Sequence, residues 1–143
     1  MPTTRRGFTL LEIMIVVVLI SLLAGMVGVR LTGTAGNAKK EIARAMVRGT
    51  LTQALEHFYL ASGFYPTTEQ GLEALVEKPA GAPEPTDYPD EGYLKEIELD
   101  PWRMPYQYVC PGVHDKNGYD LWSMGPDRRS GTPDDIGNWP VKR

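Results

Sequence analysis

The chain has 143 residues and a net charge of −3, room for one modest domain plus an appendage. The charge is unevenly spread: residues 1–61 carry seven Lys/Arg against three Asp/Glu, and residues 62–143 carry eight against fifteen. An acidic back end argues against binding a nucleic-acid phosphate backbone, and Cys110, the single cysteine, excludes an internal disulfide.

Arg5 and Arg6 precede residues 8–29, a run that is apolar apart from Thr9, Glu12, Ser21, Gly25 and Gly28. A straight helix needs about 20 residues to cross the hydrocarbon core, so this run predicts a membrane-spanning helix. It is longer than the usual core of a secretory signal, and no small-x-small cleavage site follows it. Two arginines on the short front end place that end in the cytoplasm and everything after Arg30 outside it. The competing reading is a buried helix of a soluble protein, but such a helix is rarely apolar all round.

Glu12 is the exception inside the run. An acid near the membrane centre costs about 2.5–3.5 kcal/mol on insertion scales. A cut between Gly7 and Phe8 would create an α-amine on Phe8, four residues from Glu12 and on the same helix face. That amine, with an ordinary pKa of about 8, is mostly protonated at neutral pH. Glu12 would then be a docking charge, satisfied by its own or a neighbour's amine. Alternatively it snorkels to the cytoplasmic headgroups, and the residues alone leave both readings open.

Residues 37–61, NAKKEIARAMVRGTLTQALEHFYLA, read as an amphipathic stalk helix. Val47, Leu51, Leu55 and Phe58 recur at helical spacing, flanked by Ile42 and Ala54, with Asn37 as a possible cap. Lys39, Lys40, Arg44 and Arg48 fall on the wet side. The stripe is expected to lie on a small domain. Ser62 and Gly63 break the helix, and Thr67 with Gln70 has capping-box spacing ahead of a short helix in EQGLEALVEK. The proline-rich PAGAPEPTDYP is a surface loop. Residues 93–102 suggest a short strand, and residues 106–110 and 119–123 an antiparallel pair joined through Asn117–Gly118. The whole predicts an α+β fold: a long N-terminal helix, its first half membrane-spanning, packed on a small antiparallel sheet.

Chemistry is sparse in this outer part. Cys110 and His114 are four residues apart, but they flank a turn and lack an evident orienting group for nucleophilic catalysis. His57 reads as an ordinary helix histidine. Residues 123–139, SMGPDRRSGTPDDIGNW, set Asp127, Asp134 and Asp135 on a loop rich in glycine and proline. Calcium takes six to eight oxygens, mixing carboxylates with carbonyls in irregular geometry. The EF-hand pattern is absent, since Arg129 stands where a ligand is required. Solvated turn acids are the alternative reading.

A basic leader ending in Gly7, followed by Phe8-Thr9-Leu10-Leu11-Glu12 and an apolar run, resembles the processing site of type IV pilins and type II secretion pseudopilins. The resemblance implies that prepilin peptidase cuts after Gly7 and N-methylates Phe8. It also implies that Glu12 pairs with the amine of an adjacent subunit during filament assembly. Many members carry a proline about where Val29 stands; here only Gly25 and Gly28 are available as weak points. YPTTEQGLEALV, DPWRMPYQY and SMGPDRRSGTPDDIGNW extend the resemblance to the major pseudopilins of type II secretion over nearly the whole chain.

The division implied is a cleaved cytoplasmic leader (1–7), an anchor and assembly helix (8–29), a stalk helix (30–61) and a periplasmic domain (62–143). In that family the final loop holds calcium. By position, Asp127, Asp134 and Asp135 would supply carboxylates, while Met124, Arg129 and Thr132 would supply main-chain oxygens. The implied function is that of a non-catalytic subunit, held in the inner membrane and polymerised into a periplasmic filament that helps drive folded proteins through the outer membrane. Its implied partners are further copies of itself, minor pseudopilins, prepilin peptidase and an inner-membrane assembly platform. A type IV pilin for adhesion, motility or DNA uptake is the alternative, although many such pilins close their final loop with two cysteines. A membrane-anchored enzyme or calcium-dependent binding module is the third; it leaves Gly7, Phe8 and Glu12 unexplained.

Overall fold

The computed structural model describes residues 9–140, with side chains described for residues 9–23 and 35–140. It contains two compact units, Met1–Ala38 and Lys39–Arg143.

The first unit is helical. Helix α1 runs Leu10–Ala45, and Thr9 starts it: the Glu12 N–H donates to Thr9 Oγ1 at 3.2 Å, satisfying one of the free donors of the first turn. Ser21 Oγ donates to the Val17 carbonyl at 2.8 Å, so its hydroxyl is satisfied on the helix itself. The large apolar side chains between Leu10 and Leu23 are 45–79% exposed. Among the described residues no helix is long and apolar enough to cross a membrane. Phe8 and the side chains of residues 24–29, which complete the expected span, lie outside the described residues.

The helix continues through the glycine-rich patch at residues 33–36, so Asn37 is an interior residue rather than a cap. A π-helical turn, Met46–Thr50, follows, and then α2, Leu51–Ser62. Thr52 Oγ1 donates to the Val47 carbonyl at 2.7 Å, five residues back, and so stabilises the widened turn. Gly63 ends α2 in the left-handed conformation, φ 79°, with its N–H on the Tyr59 carbonyl, a conformation that glycine adopts without a Cβ clash.

The apolar stripe is the core of the second unit. Val47, Leu51, Leu55 and Phe58 are fully buried and Ala54 nearly so, but Ile42 is exposed and Ala43 takes the inward place. Each large side chain buried this way contributes roughly 1.5–3 kcal/mol. Phe64, Tyr88 and Tyr93 close on Phe58 with ring centroids 5.6–6.4 Å apart. The opposing layer is an antiparallel sheet ordered β1–β2–β3, of strands Gln107–Val109, Asp120–Ser123 and Ile136–Gly137. Tyr108 faces Leu121 across β1 and β2, and Ser123 faces Ile136 across β2 and β3. This is the expected α+β arrangement of a helix on a small sheet.

Three local expectations change. The capping box forms, with the Thr67 N–H on Gln70 Oε1 at 3.0 Å and the Gln70 N–H on Thr67 Oγ1 at 3.2 Å. It caps only a turn, because Gly71 leaves helical geometry at φ 62° and a 3-10 turn, Leu72–Leu75, replaces the expected helix. Residues 93–102 form no strand: the Tyr93 and Leu94 N–H groups both donate to the Leu75 carbonyl. Strand β3 was not expected, since two residues carry no readable alternation.

Candidate functional site

The sequence marks two candidate sites. At the front, Glu12 sits in the first turn of α1, where a carboxylate complements the positive end of the helix dipole. Its helix position is set by Thr9. Gly7 and Phe8, the expected cleavage pair, lie outside the described residues. Among the described residues Glu12 enters no ion pair.

The second is the loop between β2 and β3. Pairing of Trp122 and Ser123 with Gly137 and Ile136 brings its two ends together. Inside it, Asp127 Oδ1 accepts the Arg129 N–H at 3.0 Å, an Asx turn that carries Arg128 at φ 56°. Asp135 Oδ2 accepts the Gly131 N–H at 2.7 Å, and the Asp135 N–H donates to the Thr132 carbonyl at 3.1 Å. Thr132 Oγ1 donates to the Arg129 carbonyl at 3.3 Å, and Trp122 Nε1 donates to Ser130 Oγ at 3.0 Å. Gly125 passes against the opposite limb at φ 70°; a Cβ there would lie 2.3 Å from the Asp134 carbonyl oxygen. The loop therefore requires glycine at this crossing.

One atom in this network lacks a partner. Asp135 Oδ1 is buried and makes no hydrogen bond. A buried carboxylate oxygen left unpaired is costly, so it marks a place where a cation fits. The same loop carries hard oxygens, among them the Arg129, Thr132 and Asp134 carbonyls, which is the donor chemistry calcium prefers. Among the described residues no three His, Cys, Asp or Glu side chains converge as a ligand cluster. Asp127 is exposed, while Asp134 and Asp135 are half-buried.

Other polar residues are organised without forming a reaction centre. Asp120 is buried and accepts the Val113 N–H at 2.8 Å and the His114 N–H at 3.0 Å, with His114 Nδ1 at 2.9 Å. Burial works to raise the Asp120 pKa, but the hydrogen bonds from His114 and Val113 together outweigh it and hold the carboxyl below its ordinary value. The His114 ring stacks on Trp139 at 4.0 Å. The Cys110 thiol meets the Gly118 carbonyl at 3.5 Å, and burial pushes its pKa up, the opposite of what a nucleophile requires. His114 thus does have an orienting acid, but its ring is engaged by Asp120 and Trp139 while the thiol is engaged by the Gly118 carbonyl. His57 is exposed.

Sequence reasoning missed Arg48. It was assigned to the wet face, yet its guanidinium donates to the Gly137 and Trp139 carbonyls at 3.1 and 3.0 Å, pinning the end of β3 and the chain just after it to the helical turn. Asn138 was missed as well: its side chain accepts the Leu121 N–H and donates to the Tyr119 carbonyl, extending the β2–β3 pairing. Both contacts span more than 15 residues in sequence, and no local pattern signals them.

Two family models match the chain. Residues 30–139 match "Type II secretion system (T2SS), protein G", and residues 3–28 match the prokaryotic N-terminal methylation motif. Among curated relatives, the chain is 48% identical over 138 residues to the type II secretion system core protein G of Aeromonas hydrophila, covering 96% of this chain and 94% of that protein. It is 47% identical to the core protein G of Dickeya chrysanthemi, covering 99% and 90%, and 46% identical to that of Escherichia coli K12, covering 97% and 94%. Among solved structures it resembles the major pseudopilin of the type 2 secretion system of enterohaemorrhagic Escherichia coli, with a TM-score of 0.69 and 39% identity over 79% of this chain and 92% of that one. The chain belongs to the type II secretion system protein G family.

Proposed function

We propose that this protein is the major structural subunit of a type II secretion pseudopilus, polymerising into a periplasmic filament that helps push folded proteins across the outer membrane. The family is one of structural pseudopilin subunits rather than enzymes. The observation that carries the reading is the pair of matches laid end to end: a methylation motif over residues 3–28, then protein G over residues 30–139. A pilin for adhesion or DNA uptake accounts for the first match but not the second.

In this reading prepilin peptidase removes residues 1–7 and methylates the new amine of Phe8. Residues 8–29 anchor the subunit in the inner membrane, with the leader cytoplasmic and the second unit periplasmic. The exposed apolar face of residues 10–23 supports this: a surface of that kind is stable only when lipid or other helices cover it. In low dielectric the positive amine of one subunit attracts Glu12 of the next far more strongly than it would in water. Head-to-tail contacts of this sort do not close, so they build an open helical filament. Minor pseudopilins and an inner-membrane platform are the remaining expected partners.

The same reading gives the C-terminal loop a structural calcium ion. Asp127, Asp134 and Asp135, with the main-chain oxygens of Met124, Arg129 and Thr132, would hold it, and the buried free oxygen of Asp135 is what supports it. When bound, the ion supplies a compact positive charge that ties acids and carbonyls from both limbs of the loop. Arg128 and Arg129 raise the local positive charge and lower the expected affinity.

Glu12→Ala tests the assembly role. The expected outcome is a subunit that accumulates in the membrane at the parent level but yields no filaments and little secretion. Filaments formed in parent numbers by Glu12→Ala would overturn it.

A further inference from the structure

The motif DPWRMP begins with Asp100, and nothing in the assembly reading uses it. Asp100 is only 3% exposed, yet its carboxylate is fully engaged. Oδ1 accepts the Trp102 and Met104 N–H groups at 3.0 and 2.8 Å, while the Asp100 N–H returns to the Met104 carbonyl at 2.9 Å. Arg103 takes the left-handed conformation at φ 65° within this turn, and its N–H donates to the Asp100 carbonyl. One carboxylate oxygen is therefore enough to lock the turn.

Oδ2 does something else. Ser123 Oγ donates to it at 2.6 Å, from a residue that is fully buried and ends β2. Ser123 Oγ in turn accepts the Gly125 N–H at 3.1 Å. Gly125 is the residue at which a Cβ would collide with the Asp134 carbonyl oxygen, and Asp134 directly precedes Asp135, whose Oδ1 is unpartnered. A continuous path of short contacts thus runs from the DPWRMP turn into both limbs of the C-terminal loop.

We infer that Asp100, acting through the Ser123 hydroxyl, is a positioning residue that pre-sets the C-terminal loop to receive its calcium ion. This inference rests on the calcium reading above. A bond from a hydroxyl to a carboxyl oxygen is short and strong, and between two buried groups it fixes direction as well as distance. Ser123 supplies no ligand; it fixes where Gly125 crosses Asp134, and hence where the carbonyls and Asp135 stand before the ion arrives. Outer partners of this kind commonly change metal affinity 10–100-fold when removed.

The test uses the full chain in detergent, measuring calcium affinity by titration calorimetry and melting temperature with calcium or chelator. Ser123→Ala is expected to raise the calcium dissociation constant about tenfold and to shrink the calcium-dependent rise in melting temperature. A merely structural hydroxyl would lower both melting temperatures equally and leave the dissociation constant within twofold of the parent; that result overturns the inference. If Ser123→Ala does not fold, Ser123→Cys keeps the packing while weakening the hydrogen bond, and the same two outcomes decide. A parent chain that takes up no calcium, and melts alike with and without chelator, would instead sink the calcium reading beneath it.

Discussion

Residues 10–23 and residues 47–58 both present large apolar side chains on a helix, and those side chains meet opposite fates. In the first stretch Leu19, Ile20, Leu22 and Leu23 are each more than half exposed; in the second Val47, Leu51, Leu55 and Phe58 have no exposure at all. The difference lies in pattern. The second stretch has an apolar stripe with polar residues beside it, so a single sheet and its loops satisfy it. The first is apolar around its circumference, and one chain cannot cover every face of a helix. Stability in the second unit is therefore intramolecular, whereas the first depends on what surrounds it.

Paired truncations would break or sharpen that contrast. Phe58→Ala removes the ring on which Phe64, Tyr88 and Tyr93 converge, and should cost about 3–5 kcal/mol in denaturant unfolding of the second unit. Leu19→Ala, a truncation of similar chemistry, should leave that unfolding transition unchanged. Equal losses from both would mean that the two regions share one core.

A smaller effect is expected at Asp120. Replacing it by Asn weakens the acceptors of the Val113 and His114 N–H groups, at a cost of about 1–3 kcal/mol near neutrality. The pH dependence has a definite sign. The folded-state pKa lies below the ordinary value of 3.8, so the stabilisation is complete above that value and disappears as pH falls through the lower folded one. Asp120→Asn should flatten the loss of stability below about pH 4, read from urea midpoints across pH. An acid limb unchanged from the parent would remove Asp120 as its source.

Much of this was legible in the chain itself, for a physical reason in each case. The helical stripe and the Thr67–Gln70 box are local patterns, and local patterns survive folding. Asn37 misled as a cap: α1 runs through it and through the glycine-rich patch at residues 33–36, because helix propensity costs only about 1 kcal/mol per glycine and the neighbours outvote it. The π-helical turn at Met46–Thr50 has no sequence signature; it turns Val47 inward while Arg48 reaches the Gly137 and Trp139 carbonyls. Asp100 and Ser123 meet across 23 residues, so DPWRMP reads as a turn and no more until the sheet places Ser123 beside it. In the final loop the acids could be counted from the sequence, but not that Asp135 alone would keep a buried free oxygen.

The central claim is that the mature subunit begins with a charged, methylated amine four residues from Glu12. Intact-mass and N-terminal analysis of the native protein, from cells that are secreting normally, tests it most directly. The account requires a chain lacking residues 1–7 and carrying one methyl group on Phe8; material that still starts at Met1, or at an unmethylated Phe8, would contradict it.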